Sequence, residues 1–279
     1  MAKAIPQLSY SSMRTALSCA KKYWFAKVAQ TPKDPDYEES DALGLGKAFH
    51  QVLELTHHES YDDALIMGAM REHDVPPADK ELLTAMLENY VVVHKLSGLK
   101  VVKCELKLEA TNFVGFIDFV AQAENGWWMG DNKTAGRHDP SILPRLHRDP
   151  QLNLYAKFAE RIGESLGMKG PFLGFRYRQS IKSKAKTAKG LREGTPTYDI
   201  VVPYSAMTPD EVWSNFLDVH ELVTDLHNGG VAKPNYGACM EYFSPCPYFS
   251  QCHGHCFSAD SLAVQVLTKE SYEDADLLG

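Results

Sequence analysis

The sequence predicts a mixed α/β fold in which helices flank a central sheet, and three observations carry that expectation. Apolar residues recur at helical spacing between Ser9 and Leu96, alternate at strand spacing from Lys100 to Lys133, and return to helical spacing from Pro209 to His227. The 279 residues are 44% hydrophobic and 23% charged, which suits one large globular domain and excludes low-complexity architectures. With 29 basic against 36 acidic residues the net charge is −7. Bulk charge therefore gives no hold on nucleic acid, though a local basic strip beside an acidic site could.

A first helix is expected from Ser9 to about Val28, with Ser11 and Ser12 as caps. Thr31 to Asp41, with two prolines and five acids, reads as an exposed loop. Helices follow over Leu45–His57, Tyr61–His73 and Asp79–Leu96, the last two separated by Pro76 and Pro77. Lys100–Glu109, Asn112–Ala123 and Trp127–Lys133 read as strands, Gln151–Ile162 as a helix, and Phe172–Ser180 and Thr197–Val202 as strands. The sheet is expected to be mixed and mostly antiparallel. No run of about 18 apolar residues exists to span a membrane, and Met1 to Pro6 lacks the apolar stretch of a secretory signal. A cytoplasmic protein is the expectation.

The most informative segment is Gly115-x-x-Asp118, then twelve residues, then Asp131-x-Lys133-Thr134. If Asn125 and Gly126 form a two-residue turn, Asp118 lies opposite Lys133 and Asp131 opposite Val120. Residues two apart on a strand share a face, so Asp118, Asp131 and Lys133 converge on one side of the sheet. An ordinary cross-strand salt bridge would look the same. Both strands are apolar on both faces, however, so the cluster is expected where water is limited. Two carboxylates there suit Mg²⁺ or Mn²⁺, with the lysine offsetting charge on a phosphate.

These residues resemble the PD-(D/E)XK nuclease superfamily, and within it the RecB-like branch. Gly46-x-x-x-His50 is similar to the branch's metal-binding helix, the Asp118 and Asp131-x-Lys133 strands to its catalytic hairpin, and Gln151-x-x-x-Tyr155 to the helix that lines its site and contacts DNA. The resemblance implies a restriction-endonuclease-like core, metal ligands His50, Asp118 and Asp131, and catalytic roles for Asp118, Asp131, Lys133, Gln151 and Tyr155. Glu105 occupies an acidic position often seen ahead of Gly-x-x-Asp and could assist the metal, with Glu109 as its competitor. Glu54 shares a helix face with His50 and stays outside the catalytic set.

Of six cysteines, Cys239, Cys246, Cys252 and Cys256 crowd into 18 residues, while Cys19 and Cys104 stand alone. Thiolates are soft ligands for zinc or iron–sulfur chemistry. The arrangement is similar to a subset of RecB-like nucleases, among them CRISPR-associated, AddB-type and phage exonucleases, that hold a 4Fe-4S cluster between one early and three late cysteines. That resemblance implies Cys19, Cys239, Cys246 and Cys252 as ligands. Phe243 stands where the commoner spacing has a cysteine, so Cys239 is the substitute, and Cys256, His253 or His255 compete. Cys104 reads as core. The organisation implied is one nuclease domain over 1–279: a core over 44–200, segments 9–30 and 235–256 joined by the cluster, and a tail over 257–279.

Arg176 to Arg192 holds seven basic residues in 17, among them Lys182, Lys184, Lys186 and Lys189, and is the candidate phosphate-contacting strip. Tyr177 could stack a base of a single strand. The reading is a Mg²⁺- or Mn²⁺-dependent DNA nuclease, an exonuclease on ends or single strands. The alternative is a non-catalytic iron–sulfur subunit that binds DNA. The chain has no Gly-x4-Gly-Lys-Ser/Thr loop, so a helicase motor would be a partner, as could a recombinase or a CRISPR-adaptation protein.

Overall fold

A computed structural model of the chain describes residues 7–35, 37, 41–183, 195–240 and 245–253. Its elements run α1 (Tyr10–Ser18), α2 (Ala20–Tyr23), a π-helical turn (Trp24–Val28), α3 (Asp41–Leu55), α4 (Asp63–Glu72) and α5 (Lys80–Leu96). Strands β1 (Lys100–Glu109), β2 (Val114–Ala123) and β3 (Gly126–Ala135) follow, then α6 (Ile142–Leu146), α7 (Pro150–Ala156) and α8 (Ala159–Leu166). Strands β4 (Phe172–Ile181) and β5 (Thr197–Pro203), α9 (Pro209–His227) and α10 (Phe249–His253) complete the order. Two compact units result, one of residues 1–14 and 38–229 and the other of 15–37 and 230–279.

The first unit is built on a five-stranded sheet in the order β1-β2-β3-β4-β5. The β3–β4 pair is parallel and the other three are antiparallel, the mixed sheet that the sequence pattern predicts. Helix α3 buries Leu45, Ala48, Phe49, Val52 and Leu53, one stripe at helical spacing, against Ile66 and Met70 of α4 and Leu83, Met86 and Tyr90 of α5. That stripe fixes the rotation of α3, and with it the direction of His50. Gly46 lets α3 approach β3: a Cβ there would lie 3.1 Å from Thr134 Oγ1.

Three expectations need correction. The β2–β3 register is displaced by two residues: Ala123 pairs with Gly126 and Val120 with Met129, so Asp131 is not opposite Val120, nor Asp118 opposite Lys133. The turn is Glu124 and Asn125, because Gly126 is a strand residue pressed on the next crossover, where a Cβ would lie 2.4 Å from the Pro171 carbonyl oxygen. A shift of two preserves the face, and Asp131 and Lys133 stay on one side. The first helix breaks at Cys19, whose extended backbone (φ −160°, ψ 111°) makes it the cap of α2. The helix expected over Gln151–Ile162 is two, interrupted at Lys157 and Phe158, and α6 carried no periodicity long enough to read.

In the second unit, Asp34 accepts hydrogen bonds from the Ser250 backbone N–H at 2.9 Å and its hydroxyl at 2.5 Å. Phe25 stacks on Tyr248 with centroids 5.4 Å apart. These contacts tie the residues after α1 to the end of the described chain.

Candidate functional site

The ladder between β2 and β3 runs from Ala123↔Gly126 to Phe119↔Gly130. Beyond it a side chain takes over: Asp118 Oδ2 accepts the Asn132 backbone N–H at 2.6 Å. Gly130 permits this close packing, since a Cβ there would sit 1.9 Å from the buried Phe119 ring.

Asp118 faces two other ligand-bearing groups. His50 Nδ1 stands 3.7 Å from Asp118 Oδ2, and His50, Glu105 and Asp118 each offer an atom within 4.8 Å of the other two. Burial lowers the His50 pKa against the pull of Asp118, which favours the neutral, ligating imidazole. Burial, then Asp118 and Glu54, push the Glu105 carboxyl up to about 7. Glu105 adopts φ +44° inside β1, between Cys104, paired with Phe119, and Leu106, paired with Ile117. A non-glycine residue held there is strained, and such strain clusters at functional sites.

Asp131 is buried, with 2% of its surface exposed. Its Oδ1 accepts from Lys133 Nζ at 2.8 Å, whereas its buried Oδ2 has no hydrogen-bond partner. Leaving a buried carboxylate oxygen unsatisfied is costly, and a cation is the natural partner for it. Burial raises the Asp131 pKa, with Asp118 adding to it and Lys133 opposing it. Burial works against the Lys133 ammonium, but the two carboxylates outweigh it and hold its pKa above the ordinary value. Asp131 lies outside the tight His50–Glu105–Asp118 group and is joined to Asp118 through charge.

Pro150 opens α7 and Asp149 caps it, accepting the Leu152 N–H at 3.1 Å, so Gln151 and Tyr155 share a face one turn apart. Gln151 Nε2 donates to the Tyr155 hydroxyl at 3.2 Å, and the Phe116 N–H donates to the same oxygen at 3.3 Å. Burial pushes Tyr155 up to about 12, so it works as a neutral hydroxyl. In register beside Asp131 and Lys133 on β4 are Tyr177 and Gln179, residues of the same sheet face. Burial and Asp131 push Tyr177 up to about 12 as well. Of the basic strip, the structure describes Arg176, Arg178, Lys182 and no later member; Lys184, Lys186, Lys189 and Arg192 lie outside the described residues. Arg178 is fully buried and so leaves the strip.

In the second unit Cys19, Cys239, Cys246 and Cys252 are free thiols lining one pocket with Lys22, Phe25 and Tyr248. Cys19 Sγ accepts backbone N–H groups from Lys22 at 3.4 Å and Asn235 at 3.3 Å, and Cys239 Sγ is 3.4 Å from His253 Nε2. A single tetrahedral zinc would bring its sulfurs to about 3.8 Å from one another. Among the described residues no three thiols come within 4.8 Å of one another. Cys256 and His255 lie outside the described residues. Cys104 is buried in β1, its thiol pushed up to about 11 by burial, in keeping with a core residue.

Glu105 is the residue that sequence reasoning weighed and left out of its ligand set. No described helix is long and apolar enough to cross a membrane. A family model, the PD-(D/E)XK nuclease superfamily, matches residues 7–253. No curated protein matches the chain.

Proposed function

The chain belongs to the PD-(D/E)XK nuclease superfamily, and on that basis we propose that it is a divalent-metal-dependent deoxyribonuclease of the RecB-like branch, acting on DNA ends or single strands. The observation that carries the reading is the buried, unpartnered Oδ2 of Asp131 beside the Lys133 ammonium, on the sheet whose Glu105 and Asp118 group with His50 of α3.

These oxygen and imidazole donors fit Mg²⁺ or Mn²⁺, with His50, Glu105, Asp118 and Asp131 as the residues to hold it. When bound, such a metal polarises a phosphoryl oxygen and acidifies water. Lys133, kept protonated by its two carboxylates, offsets the charge that builds on the phosphate during attack. Gln151 and Tyr155 present an amide and a neutral hydroxyl for the DNA backbone, orienting it without adding charge. Asn132 holds the Asp118 carboxylate through its backbone N–H, so that group enters the reaction already aimed.

We further propose that Cys19, Cys239, Cys246 and Cys252 hold a 4Fe-4S cluster. Support comes from the shared pocket and from the N–H groups aimed at the Cys19 sulfur. Its role is to clamp the segment after Gly230 onto the residues following α1, replacing a core that this short, loop-rich end cannot build.

A non-catalytic DNA-binding subunit is the second reading. The Asp131–Lys133 pair argues against it, because a chain freed from cleavage has no reason to keep a half-satisfied carboxylate buried. Incubation of end-labelled single- and double-stranded DNA with Mn²⁺ or Mg²⁺ tests the choice: metal-dependent products support the nuclease, and binding without cleavage supports the subunit.

A further inference from the structure

On the face of β3 and β4 opposite Asp131 and Lys133 lies a second row of side chains, Asn132 and Arg178, with Asp199 beside them on β5. Arg178 is 0% exposed and Asn132 2%. Asp199 accepts from Arg176 through two nitrogens and lies 3.5 Å from Arg178 Nε. A buried guanidinium is costly, and a hydrophobic residue of similar volume would often serve stability as well.

The bonds around it have a direction. Arg178 Nη1 donates to the Tyr90 hydroxyl at 2.9 Å and lies 2.9 Å from His94 Nδ1, while Nη2 donates to Ser97 Oγ at 3.1 Å. Burial and Arg178 push His94 down to about 4, so its neutral ring accepts. Tyr90 donates its O–H to Asn132 Oδ1 at 2.9 Å. A tyrosine has one proton to give, so His58 Nδ1, 2.6 Å from the same oxygen, is the donor there. The chain from Arg178 through Tyr90 to Asn132 is thus consistent in its donors and acceptors. It ends at the residue whose backbone N–H holds Asp118 Oδ2, where β3 has already parted from β2.

We propose that Tyr90 is a positioning residue: its hydroxyl anchors the Asn132 amide, and through the Asn132 backbone it fixes the Asp118 carboxylate for the metal. The inference rests on reading Asp118 as a metal ligand. It gives a task to the central residue of Asp131-x-Lys133, whose side chain points away from the reaction.

The test uses the full chain and its Tyr90→Phe, Asn132→Ala and doubly substituted forms. Mn²⁺ affinity is read from the paramagnetic resonance of the free ion, alongside kcat, KM for DNA, and Tm. Tyr90→Phe keeps the ring and its packing. It should weaken Mn²⁺ binding by about 10- to 100-fold, the scale for losing a partner that orients a metal ligand. It should lower kcat at fixed Mn²⁺, regain it when Mn²⁺ is raised, and leave KM for DNA unmoved. The double variant should be no worse than the poorer single one. A Tyr90→Phe protein that loses Tm but keeps Mn²⁺ affinity and turnover overturns the inference. If that variant does not fold, Asn132→Ala carries the same expectation, and its unchanged Mn²⁺ affinity is equally fatal. A wild-type chain that binds no Mn²⁺ overturns the metal-site reading, and this inference with it.

Discussion

Tyr155 occupies the space that a side chain at position 115 would need: a Cβ on Gly115 would lie 2.5 Å from Tyr155 Cε1 and 3.1 Å from Phe113 Cζ. The glycine of Gly115-x-x-Asp118 and the tyrosine of Gln151-x-x-x-Tyr155 are therefore one packing unit, joined again where the Phe116 N–H meets the Tyr155 hydroxyl.

Gly115→Ala follows directly. Phe113 is 0% exposed and Tyr155 4%, so neither ring has free space to enter. The substitution should cost about 1–3 kcal/mol as an overpacked core and displace Tyr155 from Gln151. Thermal denaturation reads the loss, and wild-type stability would show that the ring yields freely.

Glu105→Gln keeps the shape of a strained strand residue and removes its charge from the His50–Asp118 neighbourhood. Mn²⁺ affinity should fall about tenfold or more, at least the scale of losing a partner that only orients a metal ligand. Calorimetric titration checks it. Unchanged affinity would reduce Glu105 to a neighbour of the site.

The hairpin and its three charged residues were legible because Asp118, Asp131 and Lys133 interrupt apolar strands, and parity alone puts Asp131 and Lys133 on one face. The register was not legible. Asn125 and Gly126 carry the strongest short-range turn signal, yet Gly126 is consumed by contact with Pro171, a partner 45 positions on. Glu105 was one of two acids on a lysine-bearing edge strand, and its left-handed backbone and its approach to His50 and Asp118 set it apart from Glu109. Tyr90 and Arg178 were hidden for the opposite reason. Tyr90 falls in the apolar stripe of a helix, and Arg178 in a basic run that suggested solvent.

The buried histidines give a pH dependence of stability. His94 is lowered to about 4, by burial first and Arg178 next, and His58 is lowered in the same direction by the same two causes. In the unfolded chain both titrate near about 6.5. The folded state therefore binds fewer protons between these values, so stability is present above about 6.5 and is lost as pH falls toward 4. His94→Asn retains an acceptor for Arg178 without the titration, and its Tm should fall less steeply over that range. Equal slopes for wild type and variant would contradict the assignment.

For the cysteines, protein purified without air should be brown, with broad absorbance near about 400 nm from thiolate-bound iron and sulfide. Cys19→Ala should bleach it and lower Tm, and Cys239→Ala, Cys246→Ala and Cys252→Ala should do the same. Cys104→Ala, in the sheet, should keep the colour. A colourless anaerobic protein with one zinc per chain would overturn the cluster and leave the nuclease site standing.

The central claim is that Asp118, Asp131 and Lys133 form a hydrolytic metal site, and cleavage of end-labelled DNA by wild type and three single alanine variants tests it most directly. Wild type should cleave with Mn²⁺ or Mg²⁺ and stop when the metal is chelated. Asp118→Ala, Asp131→Ala and Lys133→Ala should each lose about 100-fold or more in turnover, the scale of removing one preorganised charge from a reacting centre, while remaining folded and still binding DNA. Near-normal turnover in any two of the three would contradict the account.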